Sequence, residues 1–134
     1  MGMNIKAHIV DGPLPTGGVW RPVGAGAVMC FEGVVRPVED GRELVSLAYE
    51  VYEPMASRQL RNLAQALAAS HTLTAVIVEH SRGVVPVGRC SFRLRIASTH
   101  RKEALEAMNL FIDRLKRDVP IWKQPVYARE AVEA

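Results

Sequence analysis

The sequence has little of what marks several common protein classes. Its 134 residues include two cysteines, Cys30 and Cys90, which stand far apart and show no Cys-x-x-Cys spacing. This spacing argues against a disulfide scaffold or a zinc knuckle and predicts two buried free thiols in a reducing compartment. The sequence has no apolar run of about 18 residues, and its N-terminus lacks the apolar segment of a signal peptide. We therefore expect a soluble, cytoplasmic protein that does not contact membranes.

Signatures of nucleotide and metal binding are absent as well. The sequence contains no Gly-x-Gly-x-x-Gly or Gly-Lys-Ser/Thr loop, and Gly24, Gly26 and Gly33 are spaced for bends. His80 has no second histidine or carboxylate at ligand spacing, which favours a structural role over metal binding. The net charge of +3 and the pI near 9.1 favour anionic partners, without the charge density of a nucleic-acid-binding arm. We expect no metal site and no cofactor.

The first half of the chain predicts strands followed by a helix. A chain of this length, 49% hydrophobic, can bury one core, so we expect residues 1–134 to form a single domain. Asn4–Val10 is a predicted strand, and Gly and Pro make residues 11–26 a loop. Ala27–Val35 is the next predicted strand, with Leu44–Tyr52 as its antiparallel partner. Pro54–Ser70 has the apolar period of a helix, carried by Leu60, Leu63, Ala64 and Leu67.

The second half of the chain also predicts strands followed by a helix. Leu73–His80 is a predicted strand, Gly83–Gly88 is a predicted turn or bulge, and an alternating strand follows. Ser98 or Thr99 can cap the next helix, which Pro120 ends, and residues 121–134 are predicted to be an irregular tail. The predicted apolar stripe of that helix consists of Leu105, Met108, Ile112 and Leu115. This order of elements indicates an α+β fold with a mainly antiparallel sheet and two principal helices.

The alternating strand predicts one apolar and one basic face. The apolar face consists of Cys90, Phe92, Leu94 and Ile96, and the other of Arg89, Ser91, Arg93 and Arg95. A basic sheet face permits an alternative function, a non-catalytic module that binds anions or RNA, with salt-dependent affinity. However, Tyr49 and Tyr52 are few aromatic residues for base stacking.

Two lysines are candidates for chemistry. Lys116 lies in the predicted last turn of its helix, where a cation interacts favourably with the helix dipole. A lysine held beside other cations and partly desolvated can also donate or accept protons or act as a nucleophile. Lys123 follows Trp122, so its stem can pack on the indole or its ammonium group can serve a site.

A second group of cations is suited to anion binding. His100 and Arg101 stand at a helix start, where backbone N–H groups and a guanidinium favour phosphate. A packed cap and a solvated arginine are the structural alternative. Arg36 ends a predicted strand and either reaches the same region or lies on the loop surface.

Four ordered segments give the chain a family resemblance. Together they resemble the large, catalytic subunit of molybdopterin synthase, and the similarity spans Ala25 to Lys123. The segments are Phe31-Glu32-Gly33-Val34-Val35-Arg36, Tyr49-Glu50-Val51-Tyr52-Glu53-Pro54-Met55-Ala56, Ser98-Thr99-His100-Arg101, and Lys116 through Pro120-Ile121-Trp122-Lys123. The resemblance implies an α/β hammerhead-like arrangement with extra antiparallel strands.

The resemblance also implies an activity and partners. It implies a sulfurtransferase of molybdenum cofactor biosynthesis that forms a homodimer within a heterotetramer. Each copy binds a small ubiquitin-like sulfur-carrier subunit whose C-terminal Gly-Gly thiocarboxylate enters a pocket. Sulfur passes from this tail to cyclic pyranopterin monophosphate, and two transfers produce the dithiolene of molybdopterin. No metal and no nucleic acid takes part.

The resemblance implies roles for individual residues. Lys116 matches the family lysine beside the incoming thiocarboxylate, and Lys123 matches a second lysine that acts on the substrate or an acyl intermediate. Arg129 takes the place of a tail arginine that reaches the neighbouring subunit's pocket. Three residues match those that bind the pterin phosphate: Arg36, His100 and Arg101.

The sequence departs from the family pattern in its N-terminal region, which has a Gly-Pro loop where a helix is common, and at two further places. The family commonly has His-Arg-x-Gly after the third strand, whereas this chain has His80-Ser81-Arg82-Gly83. After Lys123 the family usually continues with a basic residue and Glu, whereas this chain has Gln124-Pro125. A related scaffold that has lost activity is therefore a further alternative.

Overall fold

The computed structural model describes residues 4–128 of the chain, which form seven strands and two helices. The strands are β1 (Asn4–Asp11), β2 (Ala27–Val34), β3 (Val38–Glu39), β4 (Arg42–Val51), β5 (Ala75–Pro86), β6 (Cys90–Ser98) and β7 (Ile121–Tyr127). The helices are α1 (Met55–Ser70) and α2 (Arg101–Asp118). Within the described residues, neither helix is both long and apolar enough to cross a bilayer.

The strands form one sheet in the order β2-β6-β5-β4-β3, with β1 beside β5 and β7 beside β4. The β1–β5 pair is parallel, and the other pairs are antiparallel. Strand β5 joins the two parts of the sheet, because Ala75–His80 pairs with β6 and Gly83–Pro86 pairs with β4. The predicted α+β class, with a mainly antiparallel sheet and two principal helices, is confirmed.

The two helices bury one face of the sheet. The predicted stripe of α1 is buried, and it packs with Val76 and Val78 of β5 and Leu94 and Ile96 of β6. The predicted stripe of α2 is wrong at Leu105, which is half exposed, whereas Met108, Ile112 and Leu115 are partly buried against the core. The fully buried residues of α2 are Ala104, Ala107 and Phe111. The small alanines allow the helix to approach its neighbours closely, and Phe111 fills the space beyond them.

One predicted strand pairing and the predicted irregular tail are wrong. Strand β4 does not pair with β2, because the two-residue strand β3 forms a hairpin with β4 and β2 pairs with β6. The predicted irregular tail begins with a strand, since Ile121–Tyr127 pairs with β4 from Val51 to Leu44. Proline 120 stops the helix but does not prevent an extended backbone after it.

Three local predictions also differ from the structure. Of the turn or bulge predicted at Gly83–Gly88, the turn begins later than predicted, because β5 continues through Pro86, and Gly83 lies within that strand with a φ of 87°. Cys30 is exposed and Cys90 is only partly buried, so the predicted burial of both thiols is wrong. Helix α2 begins after His100 without a side-chain cap; Ser98 Oγ instead donates a hydrogen bond to the His100 carbonyl oxygen.

Candidate functional site

A cavity of about 510 Å³ lies where β2, the β3–β4 hairpin, α2 and β7 meet. Phe31 and Phe92 supply part of its apolar wall, and Leu115 of α2 supplies another part. The cavity is partly open to solvent, and the buried His80 also lines it. These features suit a ligand that is partly apolar and enters from outside.

Three of the predicted site residues line this cavity together. Lys116 projects from the last turn of α2, Lys123 from β7, and Arg36 from the segment that follows β2. Because α2 ends before Pro120 and β7 then runs back along β4, the side chains of the two lysines line the same cavity. The cavity therefore concentrates positive charge from three separate parts of the chain.

Glu39 is the acidic partner of these cations. Its Oε1 accepts a hydrogen bond from Lys123 Nζ at 3.0 Å and lies 3.8 Å from Arg36 Nη2. The Glu39 side chain is 16% exposed, against 53% for Lys123 and 74% for Arg36. The Lys123 side chain thus faces the cavity and pairs with Glu39. Its stem does not pack on the indole of Trp122, because neighbouring residues of a strand point to opposite faces.

The inner wall of the cavity is polar. Tyr49 Oη lies 2.9 Å from Ser91 Oγ, and Ser91 Oγ also lies 3.5 Å from the Gly33 carbonyl oxygen. His80 Nδ1 lies 2.8 Å from the Ser81 carbonyl oxygen, and its ring meets the Tyr49 ring edge-on at 5.1 Å. Since a carbonyl oxygen only accepts, His80 Nδ1 carries the proton and Nε2 the lone pair.

Burial sets the protonation of this histidine. Desolvation lowers the pKa of His80 below its ordinary value, and the hydrogen bond to the Ser81 carbonyl oxygen opposes this shift without cancelling it. His80 is therefore neutral at pH 7. A neutral imidazole whose Nδ1 proton is already held can accept a proton or a hydrogen bond at Nε2.

Sequence reasoning missed His80, Tyr49, Ser91 and Glu39 as cavity residues. For His80 a signal was present, because it continues the alternation of Val76 and Val78 toward the helix-covered face. Glu39 gave no signal, because a two-residue strand has no measurable period.

The remaining predicted site residues do not line this cavity. His100 and Arg101 lie at the opposite end of α2 and are exposed. Arg101 precedes Lys116 by 15 positions in one helix, which separates their backbones by about 22 Å at the usual helical rise. Arg129 lies outside the described residues.

The predicted basic sheet face is not a solvated surface. Arg93 is 3% exposed, and its Nε lies 2.7 Å from Glu32 Oε2 while Nη1 lies 3.5 Å from Glu79 Oε1. Arg95 is partly buried beneath the loop that contains Gly17. The alternative of an RNA-binding module on this face is not favoured, because its central cation is already paired and buried.

Comparison with known proteins decides the family. A model of the family described as "MoaE protein" matches residues 17–118, which is most of the chain. The chain belongs to the MoaE family. The motifs that carried the resemblance lie in or next to the matched range, and the family assignment thus agrees with the resemblance seen in the sequence.

Individual relatives of this MoaE protein point the same way. It is similar to the molybdopterin synthase catalytic subunit of Oryza sativa subsp. indica, with 41% identity over 107 residues, covering 80% of this chain and 55% of that protein. The chain spans about half the length of the curated relatives it matches.

Solved structures share the fold. The crystal structure of molybdopterin synthase from Staphylococcus aureus matches with a TM-score of 0.80 and 29% identity, covering 89% of each chain. A complex of subunits 1 and 2 of molybdopterin-converting factor from Helicobacter pylori 26695 matches with a TM-score of 0.70 and 25% identity, covering 92% of this chain and 90% of that chain.

Proposed function

We propose that this MoaE protein is the catalytic subunit of a molybdopterin synthase. It takes sulfur from the C-terminal thiocarboxylate of a small ubiquitin-like subunit and transfers it to cyclic pyranopterin monophosphate. The observation that carries the proposal is the convergence of Lys116, Lys123 and Arg36 on one cavity. Relatives named molybdopterin synthase catalytic subunit support the same assignment.

The chemistry of the reaction explains the cations. Both reactants are anionic, so they repel each other unless positive charge brings them together. Lys116 orients the thiocarboxylate and stabilises the negative charge that develops on its oxygen during attack. Lys123 acts on the bound pterin or on the acyl intermediate and handles protons there. Arg36 binds the phosphate, for which a planar guanidinium is well suited.

The shape of the cavity supports a peptide tail as donor. Its walls combine apolar side chains with a polar inner part and an open side. The last two residues of a Gly-Gly tail carry no side chains, so they can enter such a cavity in extended form. The related Helicobacter pylori structure is a complex of two subunits, which supports a small-subunit partner for this chain.

His100 and Arg101 require a second copy to serve the same site. We propose that they bind the substrate phosphate at the cavity of the neighbouring subunit, because their own Lys116 is about 22 Å away along α2. Arg129 is proposed to reach the neighbouring cavity from the tail. These roles depend on a homodimer, which with two small subunits forms a heterotetramer in the cytoplasm.

The departures from the family pattern lie outside the cavity lining. Ser81 is fully buried and points away from the side of β5 that His80 occupies, and Gln124 is exposed on the side of β7 opposite Lys123. Neither residue lines the cavity. The proposed chemistry therefore does not depend on them, which argues against a scaffold that has lost its activity.

The decisive experiment is Lys116→Ala in a sulfur-transfer assay with thiocarboxylated small subunit and cyclic pyranopterin monophosphate. We expect product formation to fall at least about 100-fold, as for the loss of one oxyanion-stabilising group. Arg117→Ala is the matched control, because Arg117 is the next residue, is exposed and pairs with Asp118 outside the cavity. Circular dichroism and gel filtration should show an unchanged fold and dimer. Retained turnover in Lys116→Ala would refute the proposed role.

A further inference from the structure

Glu39 is the only acidic residue among the described residues that line the cavity. Its carboxylate lies within ion-pair distance of both Arg36 and Lys123, two of the three cations there. It is also the most buried of the three partners. An anion is thus already bound at the place where the charge of the cavity would attract one.

We propose that Glu39 is a resident counter-anion of the cavity, which an incoming anionic group displaces from Arg36 and Lys123. The identity of that group, a substrate phosphate or a thiocarboxylate, rests on the proposed function; the displacement itself rests on the contacts. Glu39 then lowers the affinity of the cavity for anions, because a ligand must replace ion pairs that already exist.

The local backbone permits this displacement. Glu39 ends the two-residue strand β3, and its backbone pairs with Arg42 across a turn formed by Asp40 and Gly41. Asp40 and Gly41 have φ of 54° and 72°, values that suit a tight two-residue hairpin turn. Among the described residues, the Glu39 carboxylate contacts the side chains of Lys123 and Arg36. It can therefore rotate away without breaking a backbone hydrogen bond of the hairpin.

Electrostatics favours exchange over coexistence. A phosphate held by Arg36 and Lys123 while Glu39 stayed in place would lie next to a carboxylate in a site partly screened from water, where like charges repel more strongly than in bulk. If Glu39 leaves, each cation exchanges one anionic partner for another and no cation is left without one. In the empty cavity, the Glu39 carboxylate is favourable instead, because it pairs with the Lys123 ammonium group and holds that side chain in place.

The test is Glu39→Gln, which removes the charge and keeps the size of the side chain. Isothermal titration would measure the binding of inorganic phosphate and of a synthetic peptide ending in Gly-Gly carboxylate to the full chain. We expect Glu39→Gln to bind both about two- to fivefold more tightly than the wild type, the range expected for a partly exposed ion pair. Glu43→Gln is the matched control, with the same charge change on the same hairpin outside the cavity, and its affinities should equal those of the wild type.

Other outcomes would overturn the inference. Equal or weaker phosphate binding by Glu39→Gln would mean that Glu39 only holds Lys123 in position, and so would an unchanged KM with a lower kcat in sulfur transfer. No phosphate binding by either protein would also overturn it. Tighter phosphate binding in Glu39→Gln without sulfur transfer by the wild type would refute the proposed function and support the displacement of Glu39. Sulfur transfer by the wild type with unchanged phosphate affinity in Glu39→Gln would support the proposed function and refute the displacement.

Discussion

Replacing Arg93 with alanine should destabilise the protein without affecting its anion site. Arg93 lies on β6 directly opposite Glu32 of β2 on one side and Glu79 of β5 on the other. Its guanidinium thus joins three adjacent strands through two ion pairs while being 3% exposed. Removing it leaves both carboxylates without their partner and empties a filled space.

The magnitude follows from the exposure of the partners. Breaking a fully buried ion pair by removing one member costs about 3–5 kcal/mol, mainly because the other charge stays buried. Here the partner side chains are 44% exposed for Glu32 and 23% exposed for Glu79, so water can partly solvate them. We therefore expect the free energy of unfolding to fall by about 2–3 kcal/mol. For a chain of this size, this lowers Tm by roughly 6–15 °C.

Urea unfolding followed by circular dichroism would measure this change. Arg89→Ala is the control, because Arg89 is an exposed arginine immediately before the same strand, and its change should stay within about 0.5 kcal/mol. Phosphate binding should be the same in both variants, since neither arginine lines the cavity. A loss below about 0.5 kcal/mol in Arg93→Ala would refute the buried-pair argument. Weakened phosphate binding with intact stability would instead revive the basic-face alternative.

Two further predictions concern a close approach and a buried imidazole. A Cβ on Gly26 would lie 2.2 Å from the Thr99 carbonyl oxygen, whereas one on Gly18 would meet nothing within 4 Å. We expect Gly26→Ala to lower the free energy of unfolding by about 1–3 kcal/mol, and Gly18→Ala to leave it unchanged, both measured by urea unfolding. Because burial lowers the pKa of His80, this imidazole binds a proton below about pH 6.5 in the unfolded chain but stays neutral to lower pH in the folded chain. Stability should therefore fall as the pH decreases below that value, by up to about 1.4 kcal/mol per pH unit, and His80→Phe should lose this part of the pH dependence in parallel unfolding titrations.

Elements with a single amphipathic face could be read from the sequence. Helix α1 follows its leucines because Leu60, Leu63 and Leu67 recur at helical spacing and no other set of apolar residues competes with them. Strand β6 alternates from Cys90 to Ile96, and Phe92, Leu94 and Ile96 of its apolar side pack into the core with the helices. In both elements the local pattern and the tertiary packing agree, so local reasoning was sufficient.

Helix α2 shows why local reasoning fails elsewhere. Leu105 stands three residues before Met108, as Ala104 does before Ala107, and leucine is more hydrophobic than alanine, so the pattern selects the exposed Leu105 in place of the buried Ala104. Met108 does pack against the core, so the error is confined to one edge of the stripe. The alanines are buried because a close approach to neighbouring elements needs small side chains. That requirement comes from the rest of the fold and leaves no trace in the hydrophobicity of the helix itself.

Strand β7 was missed for a related reason. It contains Pro125, which usually argues against a strand. Among the described strands, β7 pairs with β4 alone, and an edge strand tolerates a proline whose missing N–H faces away from its partner. The strand exists because β4 offers a free edge, a fact that the last residues of the chain cannot reveal.

The charge balance of the cavity connects the resident carboxylate with the proposed reaction. Arg36, Lys116 and Lys123 outnumber Glu39, so the cavity keeps an excess of positive charge even with the carboxylate bound. Among the described residues, Glu39 pairs with Arg36 and Lys123 and not with Lys116, so the Lys116 ammonium group remains available to the first anion that enters. Either anionic reactant can therefore bind first beside Lys116, and an anionic group that then reaches Arg36 or Lys123 displaces Glu39. The same competition accounts for the tighter binding that we expect of both phosphate and the peptide in Glu39→Gln, and Lys116, which makes no ion pair with Glu39, stays available to the thiocarboxylate proposed to lie beside it.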